Sequence, residues 1–264
     1  MVDWSVYEGF SFEQFDDGVL KITIEGTNRA NSLNKRQLVD IARIWREVDD
    51  CDDVRVVVIT GQGDFFCAGG DLRDVRTNAP GNYEEVMILM EDARNLVLNI
   101  VNCDKPIVSA INGPAVGAGL AIALLADISI IGETVKISDG HVTHGIAAGD
   151  HAVILWPLLC SMAQAKYYLL TGDSIIGTRA AEIGLVSLCT PNERVLDDAL
   201  EVAHKLALGS KMSLRWTKRA LNHWMRAAQP TFESSLALEM IGFFGHDAVE
   251  GLDSFIEKRE AKYD

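Results

Sequence analysis

Phe65-Phe66-Cys67-Ala68-Gly69-Gly70-Asp71 and Asn112-Gly113-Pro114-Ala115-Val116-Gly117-Ala118-Gly119 decide how this chain folds. Each follows an apolar, β-branched run, residues 54–60 and 106–112, and leads toward a helix-like stretch. Continuous apolar runs of that length read as strands buried on both faces, as in a parallel sheet. Small residues at the bends leave backbone N–H groups free to point into a cleft. There they can hold a developing negative charge. Two such turns suit a two-donor oxyanion hole.

Working outward, residues 10–15 and 19–25 alternate apolar and polar around Asp16-Asp17-Gly18, which predicts an antiparallel hairpin. Residues 35–50 carry Leu38, Ile41, Ala42, Trp45 and Val48 at helical spacing, with Asn34 as N-cap. The polar stretch 73–83 reads as a mobile loop, and 84–101 and 119–126 as helices. Strands are predicted over 127–132, 134–138 and 183–189, and helices over 149–160 and 163–170. From Glu193 onward the chain reads as helical, broken at Gly209-Ser210, Gln229-Pro230 and Gly245-His246. The pattern divides into an α/β part, 1–192, and a helical part, 193–264.

The bulk numbers exclude several classes. A net charge of −14, from 24 Lys and Arg against 38 Asp and Glu, argues against nucleic-acid and anionic-membrane binding. No apolar run reaches membrane-spanning length, and Met1-Val2-Asp3-Trp4 does not open a signal peptide. The five cysteines show no CxxC spacing, which argues against disulfides or a zinc site. The expectation is a cytoplasmic protein with no metal.

Arg29-Ala30-Asn31-Ser32-Leu33-Asn34, Phe66–Asp71, Lys105-Pro106-Ile107, Asn112-Gly113, Gly117-Ala118-Gly119, Tyr168-Leu169-Leu170-Thr171-Gly172-Asp173 and Gly184-Leu185-Val186 occur in an informative order. With Glu250-Gly251 and residues 255–259 near the end, the chain resembles the crotonase (enoyl-CoA hydratase/isomerase) superfamily along nearly its whole length. The resemblance implies a spiral of ββα units with a C-terminal trimerisation region, assembled as a homotrimer or a hexamer made from two trimers. It implies an acyl-CoA substrate, coenzyme A being part of the substrate rather than a separate cofactor. By position, the N–H groups of Ala68 and Ala118 would hold the thioester carbonyl and stabilise an enolate. Cys67, Gly69, Gly70, Asp71 and Gly117 would shape the substrate side of the turns. Arg29, Arg73 and Lys258 would meet the CoA phosphates.

The chain departs from the family's hydratases at their two glutamates, whose places are held by Ala121 and His141. Alanine neither orients nor protonates water. The stretch from Gly140 to Asp150, with Trp156-Pro157, resembles the 6-oxocamphor hydrolase branch, whose histidine and aspartate activate water to cleave a C–C bond of a cyclic β-diketone. That branch has a histidine at the place of Ala118 and lacks the Phe65–Asp71 type of turn. The combination implies a CoA thioester with His141 and Asp150 assisting water or proton chemistry: C–C hydrolysis of a β-keto thioester, or hydration. The alternatives are a double-bond isomerase and an inactive acyl-CoA-binding protein. His141, titrating near pH 6.5, would be a neutral base with Asp150 on its other nitrogen. Asp150 also reads as a helix N-cap. His144 and Trp156 would line the pocket. Cys67 reads as packing rather than as a nucleophile, His151 as structural and pointing elsewhere, and Glu239 as part of a solvated helix face.

Overall fold

The computed structural model describes residues 2–263. Strands β1 (Phe10–Gln14) and β2 (Val19–Ile24) form the expected antiparallel hairpin, with Phe10 opposite Ile24. Helix α1 (Lys35–Asp50) has the predicted bounds. Its cap is reciprocal: Asn34 accepts the Gln37 N–H at 2.9 Å, and the Gln37 side chain accepts the Asn34 N–H at 3.1 Å. Strand β3 (Val56–Gly61) is buried at every residue.

Residues 73–83 are not a loop. They hold α2 (Leu72–Asn78), capped by Asp71 on the Arg73 N–H at 2.9 Å, and the start of α3 (Tyr83–Asn102). Only Leu72 and Val75 of α2 pack on the core, too few to print a helical period on the sequence. Then come β4 (Ile107–Ile111), β5 (Ala115–Val116), α4 (Ala118–Leu125), β6 (Ile128–Gly132) and β7 (Lys136–Ser138). A 3-10 turn, Val142–His144, precedes α5 (Ala152–Leu159) and α6 (Met162–Thr171).

The strand expected over 183–189 is mostly something else. Strand β8 (Ile175–Ile176) and α7 (Gly177–Glu182) precede a short β9 (Leu188–Thr190). The Ile183 N–H donates to Arg179 O at 3.1 Å, so Ile183 closes α7. Its apolar run is core packing without a ladder. The chain ends in α8 (Val195–Ala207), α9 (Lys211–Leu221), α10 (His223–Ala227), α11 (Gln229–Gly242) and α12 (His246–Glu257).

The main sheet runs β1-β2-β3-β4-β6-β9 and is parallel from β2 onward; β5-β7-β8 form a smaller one. Alternation along each strand divides the side chains between two faces. One face carries Leu20, Ile22, Val57, Ile59 and Ile107 into the core built with α1, α3 and α4. The other sets Val19, Val56, Val58, Val108 and Ile130 against Val195, Ala199, Ala203 and Ala207, one stripe of α8. Helices α11 and α12 fold back over α3, α5, α2 and the 3-10 turn. Among the described residues, no helix is long and apolar enough to cross a membrane.

Candidate active site

The two glycine turns meet as the sequence suggests. Cys67 bridges to Ala115, and the Val116 N–H donates to Cys67 O at 3.0 Å. Gly69 has φ +81°, and a Cβ there would lie 2.7 Å from Val116 O and 3.2 Å from Ala118 N. Only glycine allows this approach. Two asparagines brace the turns: Asn31 donates to the carbonyls of Gln62 and Phe65, and Asn112 to those of Gly61 and Gly63.

One expected donor is corrected. The Ala68 N–H donates to Ala30 O at 3.0 Å and is not available to a ligand. Leu33 N–H takes Gly69 O, and Asp71 N–H takes Leu33 O. The Gly70 N–H has no acceptor among the described residues, and Gly70 lines the cleft. Ala118 is the first residue of α4, where a helix leaves its N–H unpaired, and it lines the same cleft. The free donors are therefore Gly70 and Ala118.

That cleft has a volume of about 1000 Å³ counting its open mouth, and its walls include Leu38, Leu89, Leu96, Ala121 and Phe243. His141, Asp150 and Glu239 line the same cleft as the turns. His141 Nδ1 lies 2.8 Å from Asp139 Oδ1, which also accepts the His141 backbone N–H at 3.2 Å. His141 Nε2 lies 3.9 Å from Asp150 Oδ2 and 3.8 Å from Glu239 Oε1. Those separations are too long for direct hydrogen bonds and suit one bridging oxygen.

So the carboxylate on the second nitrogen of His141 is Asp139, not Asp150. Asp150 Oδ1 instead accepts the His151 backbone N–H at 2.7 Å and lies 2.6 Å from His151 Nδ1. His151 is fully buried and faces Asp150 rather than pointing elsewhere. The helix proper starts at Ala152, so Asp150 stands one residue ahead of the N-cap. Glu239 is 5% exposed, not on a solvated face. Gly149 is what lets α11 come that close: a Cβ there would lie 2.1 Å from Ser235 O and 2.8 Å from Glu239 Cβ.

Electrostatics follow from this crowding. Burial by itself lowers the His141 pKa, but the charges of Asp139, Asp150 and Glu239 raise it well above the ordinary histidine value. These charges favour the imidazolium form of His141 over the neutral base that its unperturbed pKa suggests. Burial raises Asp150 and Asp139, yet the histidines beside them bring both below the usual carboxylate range. Burial, helped by the Asp150 charge, pushes Glu239 up to about 8. Burial and the His141 charge lower His144, whose Nδ1 has no partner among the described residues. His144 lines the cleft, with its ring edge-on to Phe255 at 5.1 Å.

Two groupings, Asp139–Asp150–His151 and His141–Asp150–Glu239, hold ligand-type atoms within 4.8 Å of one another. In each, a histidine Nδ1 is already paired with a carboxylate.

Other expected residues lie elsewhere. Trp156 is fully buried behind the site and does not line the cleft; it packs 6.4 Å from Tyr168. Cys67 is buried, donates to Asn31 O at 3.1 Å, and is pushed by burial up to about 12, so it is inert packing. Asp71 caps α2 outside the main cleft. Arg29 pairs with Asp64 at 2.9 Å on the surface, and Arg73 and Lys258 are exposed with no ion pair among the described residues. None of the three lines the cleft.

A catalytic fold of parallel strands, glycine turns at their C-terminal ends and a cleft between turns and helices defines the class, and the comparisons name it. The enoyl-CoA hydratase/isomerase family model matches residues 14–264, and the chain belongs to that family. It is 28% identical to the 1,2-epoxyphenylacetyl-CoA isomerase of Escherichia coli, over 96% of this chain and 98% of that protein. An enoyl-CoA hydratase/isomerase from Mycobacterium paratuberculosis superposes with TM-score 0.87 at 32% identity, covering 93% of this chain and 98% of that one. A β-diketone hydrolase from the cyanobacterium Anabaena, solved with (S)-3-oxocyclohexyl acetic acid, superposes with TM-score 0.82 at 26% identity, over 91% and 96%.

Proposed function

We propose that this enzyme adds water to an acyl-CoA, cleaving a β-keto thioester or hydrating an enoyl thioester through an enolate. The observation that carries the reading is the placement of His141. Its Nδ1 is held by Asp139, and its Nε2 stands 3.8–3.9 Å from two carboxyl groups, in the cleft that the two unpaired N–H groups also line.

The thioester oxygen would sit on the N–H groups of Gly70 and Ala118. A water would bridge His141, Asp150 and Glu239. In the cleavage reaction, His141 in its deprotonated form takes a proton from that water as its oxygen bonds to the β-ketone carbon. The C–C bond then breaks, and its electron pair enters the thioester enolate held by the N–H groups. The imidazolium returns the proton to the α-carbon. The products are a carboxylic acid and a shorter acyl-CoA, or a single ring-opened chain from a cyclic substrate. Asp139 fixes the His141 tautomer and stabilises the imidazolium. The β-diketone hydrolase among the structural neighbours supports the cleavage form of this reading.

Ala121, which lines the cleft without an ionisable group, favours a second reading. With no carboxylate on that wall, His141 could shuttle one proton between the α and γ carbons. Turnover in ¹⁸O-water separates the readings, using enoyl-CoA, cyclic β-ketoacyl-CoA and free cyclic β-diketone substrates. Oxygen-18 in a ring-opened acid or in a β-hydroxyl group, lost in His141→Ala, supports water addition. Exchange of the α-proton without ¹⁸O uptake supports the isomerase. Binding of CoA esters without any turnover overturns both.

A further inference from the structure

Helix α3 presents Leu89, Asp92, Ala93, Leu96 and Val97 to the cleft, the stripe that helical spacing puts on one face. Four of these are apolar and one is a carboxylate. Asp92 has no hydrogen-bond or ion-pair partner among the described residues; burial raises its pKa, and the charge of Lys35 opposes that. Lys35 itself is committed to Glu85 at 2.7 Å.

Asp92 also marks a boundary. Together with Leu38, Val75 and Leu89 it lines both the main cleft and a smaller cavity of about 480 Å³. Around that second cavity stand Asp71, Asp74, Glu85 and Asp92, with Lys35 as the single cation. Seen from the cleft, this end is negative, and its one inward carboxylate lacks a donor. A methyl-terminated acyl chain packed there would strip water from Asp92 and return nothing. A carboxylate-terminated chain would add like-charge repulsion.

We infer that this end of the cleft selects acyl groups whose far end carries a hydrogen-bond donor, such as a hydroxyl, received by Asp92. The inference rests on the reading that an acyl-CoA occupies the cleft with its carbonyl on the glycine turns.

The test uses saturated acyl-CoA thioesters of matched length ending in methyl, hydroxyl or carboxylate. They have no double bond or β-carbonyl to react, so calorimetry reads affinity whichever reaction the enzyme performs. The wild type is expected to bind the hydroxyl series about tenfold more tightly than the methyl series, the carboxylate series being weakest. Asp92→Leu should reverse the hydroxyl-to-methyl order. Asp92→Asn, nearly isosteric, should recover the carboxylate series while keeping the hydroxyl preference. Thermal melts of both variants establish that they are folded. Equal ratios in wild type and Asp92→Leu would overturn this inference alone. Failure of every thioester to bind would overturn it together with the acyl-CoA reading.

Discussion

Two regions around the cleft are built on opposite physical plans. The glycine-turn side offers backbone N–H groups that are neutral, held by sequence-local turns and braced by Asn31 and Asn112. The charged region gathers Asp139, His141, Asp150, His151 and Glu239, four of them under 9% exposed, from a strand end, two loops and a distant helix. One side can move only if the backbone moves. The other can change charge without moving at all. The proposed enolate chemistry would benefit from this division: preorganised dipoles cost no reorganisation when charge develops, while a crowded acid cluster stores and returns protons.

The sharpest way to break this comparison is to remove the proton carrier. His141→Ala should lower kcat on the order of 10²–10⁴-fold while acyl-CoA still binds. Unchanged kcat would assign the chemistry to the wrong side. Gly69→Ala attacks the other side, since its Cβ would collide with Val116 O and strain a φ of +81°. Displacing the donors in this way should cost on the order of 10²–10³ in kcat. Wild-type kinetics for Gly69→Ala would show that the turns tolerate movement.

Charge predictions come next. On the proposed mechanism His141 must lose its proton before it can take one from water. The surrounding carboxylates raise its pKa, so kcat/KM should be low in acid and rise with pH only above the ordinary histidine range. Asp139→Asn removes the largest charge holding His141 up, so the rise should shift to lower pH as kcat falls. Glu239→Gln should also shift the rise downward, with a smaller loss of rate. A pH profile unmoved by either variant would separate the rise from this cluster.

The smallest expected effect is on stability. Glu239 titrates near 4.5 when unfolded and about 8 when folded. Its contribution is fully present below 4.5 and is lost as pH rises to about 8. The Tm of Glu239→Gln should therefore exceed that of the wild type increasingly across this window. Parallel Tm curves would show that Glu239 ionises without penalty.

Local chemistry wrote much of this protein into its sequence. The hairpin, the capped α1, the buried strands β3 and β4 and the glycine turns each depend on residues within a few positions of one another, so spacing and turn chemistry reveal them. His141 and Ala118 were findable through the family resemblance, by their places in its motifs. Asp139 was findable as well: a carboxylate two residues before a histidine, across Gly140, can reach both its N–H and its Nδ1. Glu239 left no such signal. It sits on α11, far along the chain, and becomes a site residue only because Gly149 lets that helix press against the His141 loop. Gly70 replaced Ala68 as donor for a similar reason, since Ala30 takes the Ala68 N–H only after the Arg29–Asn34 segment packs beside the turn. The sequence, with its family resemblance, was enough for the fold class, the meeting of the two glycine turns and the choice of His141 as the candidate histidine. Tertiary structure decided which N–H groups stay free and which charges surround the histidine, because both depend on groups that only folding brings within a few ångströms.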